Sequence, residues 1–262
     1  CMCDKGRETY KDLNLETRLI KGKKTEGGKT TECEAGDLAK QAALLIERIK
    51  KESGGESIGI IVTAQYSNEE YAAMFEFLKN KIGSNNAFYW INNQKSFEDF
   101  DGLLYRGDKN PNTKGLLQAM GKFQFNQTWD KLEEKIKAKQ LKLIVVLGPE
   151  NQSLYPELAD KVKILSAVEH VIWMTANPVP GMETLMNSWQ VPVKTSVEKS
   201  GTYTNFKGIE QKVKPVTNIV SGALTLTEAA ALFSGNEIPF ESSTAGVGGR
   251  VWNEFFHHQG YL

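Results

Sequence analysis

Two short runs, SIGIIVT at 57–63 and LKLIVVL at 141–147, constrain the fold of this 262-residue chain more than any other feature. Each is too short for a helix, rich in β-branched residues and apolar on both faces, as a strand must be when helices cover a parallel sheet from either side. Helical stripes separate them. Asp37 is placed to cap a helix in which Leu38, Ala42, Leu45, Ile46 and Ile49 recur three and four apart. Ser67 with Glu70 forms a capping box that opens a helix to about residue 82, stopped by Gly83.

The alternation continues along the chain. A strand at 88–91 precedes a polar turn at 107–115 and a short helix at 116–122; Thr128 caps a charged helix to about 140. After the strand at 141–147, Gly148-Pro149-Glu150-Asn151 breaks the chain, a helix is expected near 154–162, and the strand at 170–175 stops at Ala176-Asn177-Pro178. Residues 181–189 read as helical and 191–197 as extended, and Thr225 with Glu228 caps a helix to 233. Strand and helix joined by short links predict an α/β fold, Rossmann-like, with a largely parallel sheet, helices on both faces and a short C-terminal extension. Ligands of such sheets bind beyond the C-terminal strand ends, here 63–66, 148–151 and 175–178.

Charge and composition remove several function classes. Lys plus Arg equals Asp plus Glu at 32 each, so no global field recruits nucleic acid or an anionic membrane. No apolar run approaches the ~20 residues of a membrane span. Three cysteines, Cys1, Cys3 and Cys33, make no full disulfide framework and fit a reduced, cytoplasmic setting. A first residue that is Cys and not Met suggests a piece of a longer chain, or a processed lipoprotein-like module whose Rossmann-like edge holds a small ligand.

Residues 21–36, KGKKTEGGKTTECEAG, carry no apolar period and read as a flexible connector. Gly28-Lys29-Thr30 within it is no phosphate loop, because Lys23 stands where the motif needs glycine and no hydrophobic strand precedes it. The expected division is an N-terminal segment and connector at 1–36, an α/β domain at 37–211 and an extension at 212–262. His257-His258 lack acidic or Cys neighbours for a metal site, and His170 opens a buried strand.

The segment 198–211, EKSGTYTNFKGIEQ, is of another kind. Gly201 and Gly208 give backbone freedom, while Thr202, Thr204 and Asn205 place short hydrogen-bonding groups that hold a tight turn or grip a polar ligand. It resembles the EK-x-GT-x-TN-x-xG block of the molybdopterin oxidoreductase superfamily. Cys3-Asp4-Lys5-Gly6-Arg7 is similar to that superfamily's C-x-K-G-R, and Thr63 to Glu70 with Gly83-Ser84-Asn85-Asn86 resembles the N-E-E … G-x-N-N helix of the large iron–sulfur subunit of bacterial NADH-quinone oxidoreductase.

The resemblance implies an iron–sulfur cluster and a molybdopterin in the family, with Cys3 as a metal ligand, Lys5 between cluster and pterin, and Gly201, Thr202, Thr204 and Asn205 near the pterin. A cubane needs four thiolates and this chain offers three, so no cofactor is expected in this chain alone. Catalytic relatives carry several hundred more residues between the two blocks; here the interval is under 200 residues, leaving no room for the metal-binding insert. The resemblance therefore implies a structural, electron-transfer-supporting domain without molybdenum chemistry of its own. Its partners would be the other subunits of the respiratory complex at the cytoplasmic side of the inner membrane, with no nucleic acid and no membrane insertion. The alternative is a fragment of a molybdopterin-dependent enzyme such as formate dehydrogenase.

Overall fold

The structure, a computed structural model, describes residues 16, 18–92, 107–108 and 110–238. Cys1, Cys3, Lys5 and His257-His258 lie outside the described residues.

Five parallel strands form the centre: β3 (Ile58–Thr63), β4 (Ala87–Trp90), β5 (Leu143–Leu147), β6 (His170–Thr175) and β7 (Asn187–Pro192). An antiparallel hairpin, β1 (Gly22–Glu26) and β2 (Lys29–Cys33), extends the sheet beside β7. The order is β2-β1-β7-β6-β5-β3-β4. From β3 the chain runs outward to β4, then returns to the other flank of β3 for β5, β6 and β7. The switch point of the sheet therefore lies between β3 and β5, where Val62 pairs with Leu147.

Side-chain alternation divides the core into two layers. Ile58, Ile60, Val62, Leu143, Val145 and Leu147 face α1 (Ala35–Ser53), α2 (Asn68–Glu76), α3 (Thr113–Lys122) and α6 (Leu226–Phe233). Ile61, Ile144, Val146, Val171 and Trp173 face α4 (Trp129–Lys137) and α5 (Leu158–Leu165). Each fully buried Ile, Leu or Val contributes about 1.5–3 kcal/mol. The capping boxes at Ser67/Glu70 and Thr225/Glu228 are both formed, and α2 continues as a π-turn, Phe77–Ile82, to Gly83 in the left-handed region. Because α6 shares the layer of α1, residues up to Phe233 belong to the main core.

Three local expectations are corrected. The connector at 21–36 is the β1–β2 hairpin, turned by Gly27 and Gly28 at φ 56° and 79° and tied by Thr25 and Thr30 hydroxyls 2.8 Å apart. It lacks an apolar period because it lies at the sheet edge with β2 in solvent. Residues 181–189 are not helical: a single 3₁₀ turn, Met182–Thr184, leads into β7, whose Trp189 pairs with Ile172 of β6. The first helix is capped at Glu34, and Asp37 sits within its first turn.

Candidate functional site

The C-terminal ends of β3 and β5 open onto the loops 64–67 and 148–151, the place where a doubly wound sheet receives its ligand. Gln65 crosses this crevice, its Oε1 accepting from the amides of Glu150 (2.6 Å) and Asn151 (3.1 Å). The segment 198–205 closes it from outside.

Lys199 is 3% exposed and enters the crevice as a cation. Its Nζ lies 2.9 Å from Glu70 Oε2 and 3.6 Å from Glu150 Oε2, and 4.6 Å from the centre of the Tyr66 ring. Glu70 does three things at once: Oε2 caps the Ser67 amide at 3.0 Å, Oε1 accepts from the Leu226 amide at 3.0 Å, and both oxygens meet the lysine. A single carboxylate thus fixes the start of α2, the start of α6 and the closing segment. Burial lowers the lysine's proton affinity, but Glu70 and Glu150 outweigh it and raise its pKa above the ordinary value.

Glu150 differs. Burial raises its pKa, and Lys199 and the Ser196 amide only partly offset this. The hydroxyls of Tyr66 and Tyr203, both buried, are pushed upward by burial first and by the Glu150 carboxylate next. Burial in this site thus disfavours further negative charge on these groups.

Glu198, the neighbour of Lys199, turns the other way. Its Oε2 accepts from the Thr195 amide and hydroxyl, both at 2.9 Å, and meets Arg18 Nη2 at 2.8 Å; Oε1 accepts from the Ile219 and Val220 amides, again at 2.9 Å. Burial acts to raise its pKa, yet the amides of Thr195 and Val220 and the guanidinium prevail and hold it below the usual carboxylate range. Arg18 also donates to the carbonyls of Ala176 and Val193, stitching the ends of β6 and β7 to this loop.

The glycine-threonine part is a strand. β8 (Gly201–Thr204) pairs antiparallel with β9 (Glu210–Val213). Thr202 donates from its amide to Glu69 Oε2 (2.8 Å) and from its hydroxyl to Glu69 Oε1 (2.6 Å). The Thr204 amide donates to Asn112 Oδ1 (2.8 Å), and its hydroxyl accepts from Asn68 Nδ2 (2.9 Å). Asn205 Oδ1 accepts from the amides of Lys207 and Ile209, closing the hairpin turn with Gly208 at φ 82°. At Gly201 a Cβ would stand 2.5 Å from Ser67 Cβ, so only glycine permits this approach.

The structure thus brings together two blocks that the sequence separates by well over a hundred residues: Asn68, Glu69 and Glu70 meet Thr204, Thr202 and Lys199 in turn. In this arrangement the amides and hydroxyls of Thr202 and Thr204 are turned to the chain itself and latch the hairpin to α2 and to Asn112. Gln65, Asn112, Glu150 and Arg18 complete the latch; Gln65 and Glu150 lie in the strand-end loops 63–66 and 148–151 that the sequence marks, whereas Asn112 sits in a polar turn and Arg18 before any recognisable element. Among the described residues no group of three His, Cys, Asp or Glu side chains is placed to hold a metal ion, and no helix is long and apolar enough to cross a membrane. Cys33 ends β2, half-buried against the core.

No protein-family model matches the chain. A curated protein of Staphylococcus haemolyticus, described as a "putative formate dehydrogenase", aligns with 161 residues at 25% identity, covering 62% of this chain and 14% of that protein. The chain thus spans about one seventh of that relative's length. This similarity points to the molybdopterin oxidoreductase superfamily and does not reach a particular enzyme within it. Among solved structures, acetylene hydratase from Pelobacter acetylenicus overlaps 66% of this chain and 23% of its own, at 16% identity and a TM-score of 0.32.

Proposed function

We propose that this chain is a scaffold domain of a molybdopterin-superfamily oxidoreductase, and that its place is in the large iron–sulfur subunit of a bacterial NADH-quinone oxidoreductase. The observation that carries the reading is the closed switch point. The crevice that would receive a ligand is filled by Lys199, Tyr66 and the β8–β9 hairpin, all held by the chain's own side chains. A domain closed in this way supports neighbours; it performs no redox step itself. Electrons would pass through clusters and flavin held elsewhere in the assembly, and this domain would stiffen that path from the cytoplasmic side of the inner membrane.

A second reading is favoured by the staphylococcal relative, whose name is that of a formate dehydrogenase. On that reading the chain is one part of a molybdopterin enzyme. Metal analysis of the intact protein purified from its source separates the two. The scaffold reading expects iron without molybdenum or tungsten, together with NADH-quinone activity in the assembly. Stoichiometric molybdenum or tungsten would overturn it.

A further inference from the structure

The β8–β9 ribbon has one closed edge and one open edge. Thr202 and Thr204 turn their amides away from β9, to Glu69 and Asn112, so Gly201 and Tyr203 are the residues that exchange hydrogen bonds with Val213 and Gln211. It follows that Glu210 and Lys212 point their amides and carbonyls outward. Among the described residues these groups meet no further strand, and residues 206–212 are exposed throughout.

That edge is complementary to itself. Consider two copies of β9 meeting antiparallel about a two-fold axis through Gln211. Glu210 of one copy then lies opposite Lys212 of the other, and the reverse holds across the axis. The outward-pointing residues 210 and 212 fall in the hydrogen-bonded pairs, as an antiparallel ladder requires, and Gln211 faces Gln211 in a non-bonded pair. Ile209, 55% exposed, comes opposite Val213 of the second copy. A shift of one residue would place outward-pointing groups against inward-pointing ones, so the hydrogen-bond phase and the charges select the same register.

We propose that β9 is a homodimer interface, in which two ribbons join as a four-stranded antiparallel sheet with two reciprocal Glu210–Lys212 pairs. An edge strand with unpaired backbone groups is a template for such pairing, a two-fold axis makes the contact closed, and opposite charges facing across strands favour it. A ribbon edge buries less than about 1,000 Å², so the dimer is weak. The inference does not depend on the function proposed above.

Sedimentation velocity of the full chain, from low-micromolar to near-millimolar protein, tests it together with amide exchange at the two ends of that range. The wild type is expected to dimerise with concentration, and the amides of Glu210 and Lys212 to gain protection as it does. Glu210→Lys and Lys212→Glu should each weaken dimerisation about tenfold or more by setting like charges opposite, and the double exchange should restore it. Both residues are exposed and face Thr204 and Thr202 within the ribbon, so the variants keep the fold. A chain that stays monomeric throughout, or a dimer indifferent to these exchanges, would overturn the proposal.

Discussion

Gly201 and Gly208 bound the same motif but are glycine for different reasons. At Gly201 the obstacle is a neighbour, Ser67 Cβ at 2.5 Å, fixed at the start of α2 and unable to swing aside. At Gly208 nothing lies within 4 Å of an added Cβ, and the demand is φ 82° alone. Gly201→Ala should therefore cost about 1–3 kcal/mol through overpacking. Gly208→Ala should cost about 1–2 kcal/mol through left-handed strain, much of it recovered by Gly208→Asn because asparagine accepts that region. Gly201→Asn should recover nothing. Urea unfolding of the four variants measures the contrast, and equal behaviour of the two asparagine variants would refute the distinction.

Elements with buried periodicity were readable from the chain, and those without it were not. The strands at 58–63, 143–147 and 170–175 and both capping boxes match their sequence signals, because an apolar run or a Ser/Thr-x-x-Glu spacing fixes them locally. The β1–β2 hairpin escaped notice because an exposed edge needs no apolar alternation, and β7 because a helical spacing at 181–189 is overridden by pairing with β6. The strand-end loops 63–66 and 148–151 were legible as the ligand edge, whereas the strand order that makes them the switch point, and the use of Asn68, Glu69 and Glu70 as partners of 199–204, are long-range facts that local spacing does not hold. Glu198 shows how such a residue welds segments: it joins the 195–199 turn, the amides at 219–220 and Arg18. Its depressed pKa means that its stabilisation is present above the ordinary carboxylate value of about 4.3 and fades as pH falls through the lower folded value. The stability difference between wild type and Glu198→Gln should therefore be full at neutral pH and shrink below about pH 4.3. A difference that stays constant with pH would mean that the loss is one of packing, not of charge.

For the molecule as a whole, the question is whether the segment 198–205 is part of the core or a latch laid over it, and Lys199 decides because its ammonium meets both the buried Glu70 carboxylate and the largely buried Glu150 carboxylate there. Lys199→Met keeps most of the side-chain volume and leaves Glu70 and Glu150 without their cation, a loss of about 3–5 kcal/mol. If the segment is a latch, the loss is local. The amides of Thr202 and Thr204, slow to exchange in the wild type because Glu69 and Asn112 hold them, should speed up, while those of Ile144 and Val146 in β5 keep their protection. Acid should partly repair the variant. Burial already raises the pKa of Glu150, and without Lys199 it rises further, so lowering the pH from neutral protonates this carboxyl and removes one unpaired charge. The expected result is a gap between wild type and Lys199→Met that narrows as the solution is acidified, with exchange faster only in the hairpin. If β5 loses protection in step with the hairpin, the segment belongs to the cooperative core and the sheet does not stand without it.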